Sequence, residues 1–151
     1  MTAAACIIAV ALLGGIWDIK TTRIPNWLSG TGITAGLIIG YLEGNLILSV
    51  LGLFAGAVLL LPFVLKGGMG AGDLKMTAAL GALGGPFFAL RALLFGSILG
   101  ALSALLVVVH KRTGFLERYY RAVTVEEGSK MPYGIYIALG ALSALGGVLI
   151  A

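Results

Sequence analysis

The sequence has few charged residues for its length. Of its 151 residues, 11% are charged and 60% are hydrophobic, and the mean hydropathy is +1.08. A soluble domain carries roughly 25% charged residues, so this chain has too little polar surface to cover a water-soluble globule. The net charge is +4, but the basic residues occupy short gaps between apolar runs, and we expect no nucleic acid partner. The composition predicts one membrane domain over residues 1–151.

Cysteine and histidine occur once each, as Cys6 and His110. One thiol cannot form an internal disulfide, and a structural zinc site takes about four ligands. The sequence also lacks HExxH and GxSxG motifs, which mark metallopeptidases and serine hydrolases. We therefore expect no metal and no cofactor.

Six apolar runs predict an all-α polytopic protein with six transmembrane helices. A bilayer core of about 30 Å needs roughly 20 helical residues. The helices of the shorter runs must therefore extend into the flanking residues. Within the fourth run only Gly84, Gly85 and Pro86 mark a turn, and the fifth run is predicted to begin immediately after Arg91. The runs are 2–17, 27–42, 46–65, 76–90, 92–109 and 132–150.

The basic residues predict the orientation of these spans. Nine of the ten lysines and arginines lie in the loops near 18–26, 66–75 and 110–131, and only Arg91 lies on the opposite side. Cytoplasmic loops carry an excess of lysine and arginine. We therefore expect a multi-pass protein of the cytoplasmic membrane with both termini outside.

Many of the 24 glycines are spaced by four residues, which lets helix backbones approach closely in lipid. The expectation is ordinary close packing within a compact bundle. The alternative is that such contacts let helices slide to admit a substrate helix. The glycines concerned are Gly32, Gly36, Gly40 and Gly44 in the second run, Gly52 and Gly56 in the third, and Gly96 and Gly100 in the fifth.

The chain has two aspartates, each at the cytoplasmic end of a predicted span. Asp18 ends the first helix and Asp73 begins the fourth, so both carboxylates reach the membrane at the same depth. Two carboxylates that share a proton can hold a water molecule between them. The ionised member deprotonates the water while the protonated member polarises a peptide carbonyl, so peptide hydrolysis needs no metal or nucleophilic side chain.

The helix macrodipole predicts different roles for the two acids. An anion is disfavoured at a helix C-terminus, where Asp18 lies, and favoured near an N-terminus, where Asp73 lies. We therefore predict Asp73 as the ionised base and Asp18 as the protonated acid.

Glycines precede Asp73 in the loop and predict special backbone geometry. Gly67, Gly68, Gly70 and Gly72 permit angles closed to other residues and let another chain approach closely. The alternative is a helix-entry turn in which Asp73 is an N-terminal cap.

Four short segments carry a resemblance to a known family. Together they resemble the type IV prepilin peptidases, which include archaeal preflagellin peptidases, and Gly70-Ala71-Gly72-Asp73 matches the GxGD motif of intramembrane aspartic peptidases. The resemblance implies that Asp18 and Asp73 are catalytic and cleave a short basic leader from prepilin-like precursors at the cytoplasmic face. The other segments are Asp18-Ile19-Lys20 with Arg23-Ile24-Pro25-Asn26, Asp73-Leu74-Lys75, and Met131-Pro132-Tyr133-Gly134.

The chain also departs from longer members of that family. It lacks their cytoplasmic domain with paired Cys-x-x-Cys motifs, so methyl transfer to the new amino terminus is not expected. Its compactness is similar to the short peptidases of tight-adherence pilus systems. It also lacks the Pro-Ala-Leu motif of presenilin-like enzymes.

Several further residues are candidates for shaping the site or binding substrate. Lys20 and Lys75 either tune the dyad or contact the substrate, or they extend to lipid headgroups. The segment Pro132, Tyr133 and Gly134 is predicted to shape the site. The loop 110–131 is expected to lie on the membrane surface. The alternative is a functional role, in which Glu126 and Glu127 attract the basic leader of a precursor.

Two other functional classes stay open. One is a small proton-coupled transporter that uses both carboxylates, although such sites usually lie near the membrane midplane. The other is a non-catalytic membrane subunit whose aspartates only orient helices. The precursor and the oligomeric state are not predicted.

Overall fold

A computed structural model of the chain describes residues 2–21, 24–67, 69–113 and 133–150, and the regular structure in these ranges is helical. This confirms the prediction of an all-α protein. The described helices are α1 (Thr2–Thr21), α2 (Asn26–Leu42), α3 (Leu46–Leu65), α4 (Ala71–Gly84), α5 (Pro86–Thr113) and α6 (Tyr133–Ile150).

The boundary between α4 and α5 differs from the prediction. Gly85 has a φ of +81°, a conformation that favours glycine, and it ends α4. Pro86 then begins α5, because its fixed φ and missing N–H suit the first turn of a helix. The fifth helix therefore does not begin after Arg91, which lies inside α5.

Three of the described helices are long and apolar enough to cross a membrane: α1, α3 and the Pro86–Ser103 part of α5. The α2 helix has 17 residues and α4 has 14, and the apolar part of α6 is also shorter. Large apolar side chains such as Ile47, Leu65 and Phe87 are exposed on the outside of the bundle. A soluble protein rarely shows so extended an apolar surface, so the fold is that of a membrane-embedded protein.

The α4 helix lies at the centre of the bundle and packs against each of the other five described helices. All of its residues from 76 to 83 are buried. A helix of this length is about 21 Å long, shorter than the hydrocarbon core of about 30 Å. An α-helix buried on all sides belongs in the core of a bundle. The buried part of α4, residues 76–83, is therefore surrounded by the other described helices.

Neighbouring helices reach α4 through glycines, which confirms the predicted close packing. A Cβ atom on Gly52 would overlap the carbonyl oxygen of Gly81, and one on Gly36 would lie 2.6 Å from the carbonyl carbon of Ala82. Gly44 is an exception, since it lies in the turn after α2 with a φ of +72°. The bundle core therefore depends on backbone contact, which a single methyl group would prevent.

We predict that Gly52→Ala lowers the free energy of unfolding by about 1–3 kcal/mol, because the added methyl group has no space. Thermal unfolding of the detergent-purified protein measures the change. Gly30→Ala is the matched control, since nothing lies within 4 Å of its Cβ position, and it should not lower stability. An unchanged Tm for Gly52→Ala would contradict the packing described here.

Candidate active site

The antiparallel arrangement of α1 and α4 brings the two aspartates to one end of the bundle. Gly14 of α1 packs against the Met76 side chain of α4. Asp18 lies one turn beyond Gly14, and Asp73 lies one turn before Met76, so both acids lie toward the same end of the interface. The two aspartates are 4% and 6% exposed. Both carboxylates are therefore buried toward one end of the α1–α4 interface.

The carboxylate of Asp18 is held by the first turn of α6. Its Oδ2 accepts a hydrogen bond of 3.2 Å from the backbone N–H of Ile135. That N–H belongs to the first helical turn, which has no intrahelical acceptor. A Cβ on Gly134 would lie 2.8 Å from Cγ and Oδ2 of Asp18. Gly134 therefore provides the space that lets the carboxylate reach α6.

Asp73 lies in the first turn of α4 and caps that helix. Its Oδ2 accepts a hydrogen bond of 3.2 Å from the Gly70 N–H, and its own N–H donates to the Gly70 carbonyl oxygen at 3.1 Å. The Thr77 hydroxyl donates to the Asp73 carbonyl oxygen at 2.9 Å. Gly70 is the N-cap residue of α4, and Asp73 is the third helical residue. Asp73 therefore caps the helix by bonding back to the N-cap N–H, not as the N-cap residue of the alternative, and this bond orients its carboxylate.

The glycines before Asp73 differ in what they contribute. Gly67 has a φ of +75°, which favours glycine. Gly70 has φ −77° and ψ 146°, an extended conformation open to any residue. A Cβ on Gly72 would lie 3.2 Å from the backbone nitrogen of Ile24. The expectation of special backbone angles thus holds at Gly67 but not at Gly70, and Gly72 makes room for the protein's own chain.

Both carboxylates accept an N–H at the N-terminal end of a helix, Asp18 from α6 and Asp73 from α4. The positive end of a helix macrodipole favours a nearby anion in each case. The expected division into an acid, Asp18, and a base, Asp73, rested on Asp18 facing only the C-terminus of α1. Asp18 therefore lies near the C-terminus of α1 and the N-terminus of α6, whereas Asp73 lies near the N-terminus of α4. The dipole difference between the two acids is smaller than the sequence predicted, and the assignment of acid and base stays a prediction.

The two candidate lysines occupy different surroundings. Lys75 donates a hydrogen bond of 2.9 Å to the side-chain oxygen of Asn26, at the start of α2. Lys20 is exposed in the last turn of α1. The sequence did not identify Asn26 or Ile135 as contributors to the site. The available signal for Asn26 was its place in the segment Arg23-Ile24-Pro25-Asn26, which carries the family resemblance.

Tyr133 begins α6 beside Gly134 and is half-buried. Together with Met69 it lines a cavity of about 290 Å³ between α3, α5 and α6. Pro132, Glu126 and Glu127 lie outside the described residues. No group of three or more metal-ligating side chains occurs in the ranges that the structure describes.

Comparison with known proteins identifies the family. The sequence profile of the type IV leader peptidase family matches residues 5–105, which include Asp18, Asp73 and most of the helices around them. No curated protein and no solved structure matches the chain. Because the family profile covers more than half of the sequence, the chain belongs to the type IV leader peptidase family.

Proposed function

We propose that the chain is an aspartic endopeptidase in which Asp18 and Asp73 form the catalytic pair. The observation that carries this proposal is the location of two buried carboxylates at the same end of the α1–α4 interface. Membership of a leader peptidase family supports peptide hydrolysis as the reaction. No feature of the described helices favours proton-coupled transport.

The chemistry follows from the coupling between two nearby acids. One carboxylate stays protonated while the other is ionised, because like charges close together separate the two titrations. The ionised acid removes a proton from a bound water molecule, whose oxygen attacks the peptide carbonyl carbon. The protonated acid donates a hydrogen bond to the carbonyl oxygen and later a proton to the leaving nitrogen.

The proposed substrate is a prepilin-like precursor whose short basic leader stays in the cytoplasm. Nine of the ten basic residues fall in the three loops predicted to be cytoplasmic, and Asp18 and Asp73 lie where helices meet the first two of these loops. Six transmembrane helices with both termini outside complete this proposed topology. The leader would then be cleaved at the cytoplasmic membrane boundary without entering the lipid.

We predict that Asp18→Asn and Asp73→Asn each reduce cleavage of a pilin-like precursor at least about 100-fold, because each removes one acid–base partner. Purified protein in detergent is incubated with precursor, and loss of the leader is followed on a gel. Glu43→Gln is the matched carboxylate-to-amide control, since Glu43 follows α2 at the other end of the bundle. Folded, monodisperse Asn variants that cleave like the wild type would refute the proposed dyad.

We predict that Gly134→Ala lowers kcat about 100-fold, because the added methyl group displaces the Asp18 carboxylate and misplacement of about 1 Å has a cost of this order. KM should stay within a factor of about two. Gly146→Ala in the same helix is the matched control, since nothing lies within 4 Å of its Cβ position. A Gly134→Ala enzyme with wild-type kcat would show that Asp18 does not need this contact.

Glu126 and Glu127 are proposed to attract the basic leader. Replacing both with lysine should raise KM about tenfold and leave kcat unchanged, because charge at the rim of a site acts mainly on encounter. Steady-state cleavage at two salt concentrations measures the effect, which should weaken at high salt. Equal KM values for the variant and the wild type would exclude this role.

A further inference from the structure

The first turn of α4 is held on both sides of Asp73 by one short segment, Ile24 to Asn26. Gly72, just before Asp73, packs against Ile24, with its Cβ position 3.2 Å from the Ile24 nitrogen and Cβ. Two residues after Asp73, Lys75 donates its hydrogen bond to Asn26. One is a close backbone contact and the other a side-chain hydrogen bond, so the segment contacts this helical turn on both sides of Asp73.

This segment is itself well fixed. Ile24 is buried in the apolar core of the bundle. Pro25 has φ −62° and ψ 137° and precedes the first residue of α2, and its ring restricts the backbone. The Pro25 carbonyl oxygen accepts the N–H of Leu28 at 3.2 Å. The segment is therefore joined directly to the first turn of α2.

The start of α2 is also joined to the end of α1. The rings of Trp17 and Trp27 meet edge to face with centroids 5.9 Å apart. Trp17 precedes Asp18 in α1, and Trp27 follows Asn26 in α2. A continuous set of contacts thus runs from the turn that carries Asp18, through the start of α2, to the turn that carries Asp73.

Lys75 cannot readily act on Asp73 directly from this position. Residues two apart on a helix do not face each other, and the ammonium group of Lys75 is directed to Asn26 at 2.9 Å. The lysine therefore contacts the segment before α2. Its charge strengthens that hydrogen bond relative to one between neutral groups.

Building on the proposed function, we infer that residues 24–26 are a positioning strap that sets the place of Asp73 relative to Asp18. Asn26 is its hydrogen-bonding residue, and Lys75 is the positioning residue that engages it from α4. Neither touches the substrate or the reacting water. Their role is to keep the two carboxylates at the separation that one shared water molecule requires.

The test is a double-mutant cycle with Asn26→Ala, Lys75→Met and the double variant, assayed for precursor cleavage. Each single variant should lower kcat about tenfold or more and leave KM within a factor of about two, because positioning acts on the chemical step. The double variant should be no slower than the single ones, because all three lack the same hydrogen bond. Multiplied effects, or a wild-type kcat for Asn26→Ala, would overturn the inference.

Conservative and control variants separate positioning from other roles. Asn26→Asp keeps an acceptor for Lys75 and should retain kcat within a factor of about three, and its failure to do so would count against the strap. Lys66→Met is the matched control, since Lys66 is exposed after α3, and it should behave as the wild type. A drop in kcat for Lys66→Met equal to that for Lys75→Met would show a general effect of lost positive charge.

Asn26 and Lys75 are both exposed, so the variants should fold, and thermal unfolding in detergent checks this. If Lys75→Met does not fold, Lys75→Ala takes its place in the cycle. Asp73→Asn is assayed in parallel. Full activity of Asp73→Asn would refute the proposed dyad, whereas an inactive Asp73→Asn with unaffected strap variants would refute only the strap.

Discussion

The structure depends on backbone contact around α4. This short helix is surrounded by the other described helices, and glycines on α2 and α3 bring their backbones against it. In lipid, helix association gains little from the hydrophobic effect and relies on close packing. Backbone contact therefore sets the position of α4. It thereby also sets the position of the residues in the first turn of α4, including Asp73.

The site follows from which helix ends meet at one end of α4. Asp18 reaches across to an N–H of α6, while Asp73 caps α4 itself. Each carboxylate thus accepts a hydrogen bond from a backbone N–H at the start of a helix, where the N–H groups have no intrahelical acceptor. The same hydrogen bonds that complete the fold orient the acids, so structural and catalytic roles for these aspartates are not exclusive. The space beside the Asp18 carboxylate is small, since a Cβ on Gly134 would lie 2.8 Å from its Cγ and Oδ2.

Family membership and the apolar helices together describe a membrane-embedded leader peptidase. The proposed dyad and strap add a physical account of how so small a chain could organise peptide hydrolysis. Three helices contribute hydrogen-bonding groups to the two acids and their neighbours: α2 through Asn26, α4 through Lys75, and α6 through the Ile135 N–H. Precision then comes from contacts between helix ends.

Composition and local motifs determined the helical class, the membrane setting, the family and the choice of Asp18 and Asp73 as candidates. These features depend on residue types and short sequence spacings, so they can be predicted without knowing which helices touch. The start of α5 at Pro86, the partner of Lys75 and the bond from Ile135 to Asp18 were decided by tertiary structure. Residues 18 and 135 are 117 positions apart, and only the packing of α1 against α6 makes them neighbours. The same packing reduced the dipole difference between the two acids that the sequence predicted, because the field at a carboxylate depends on every helix end nearby.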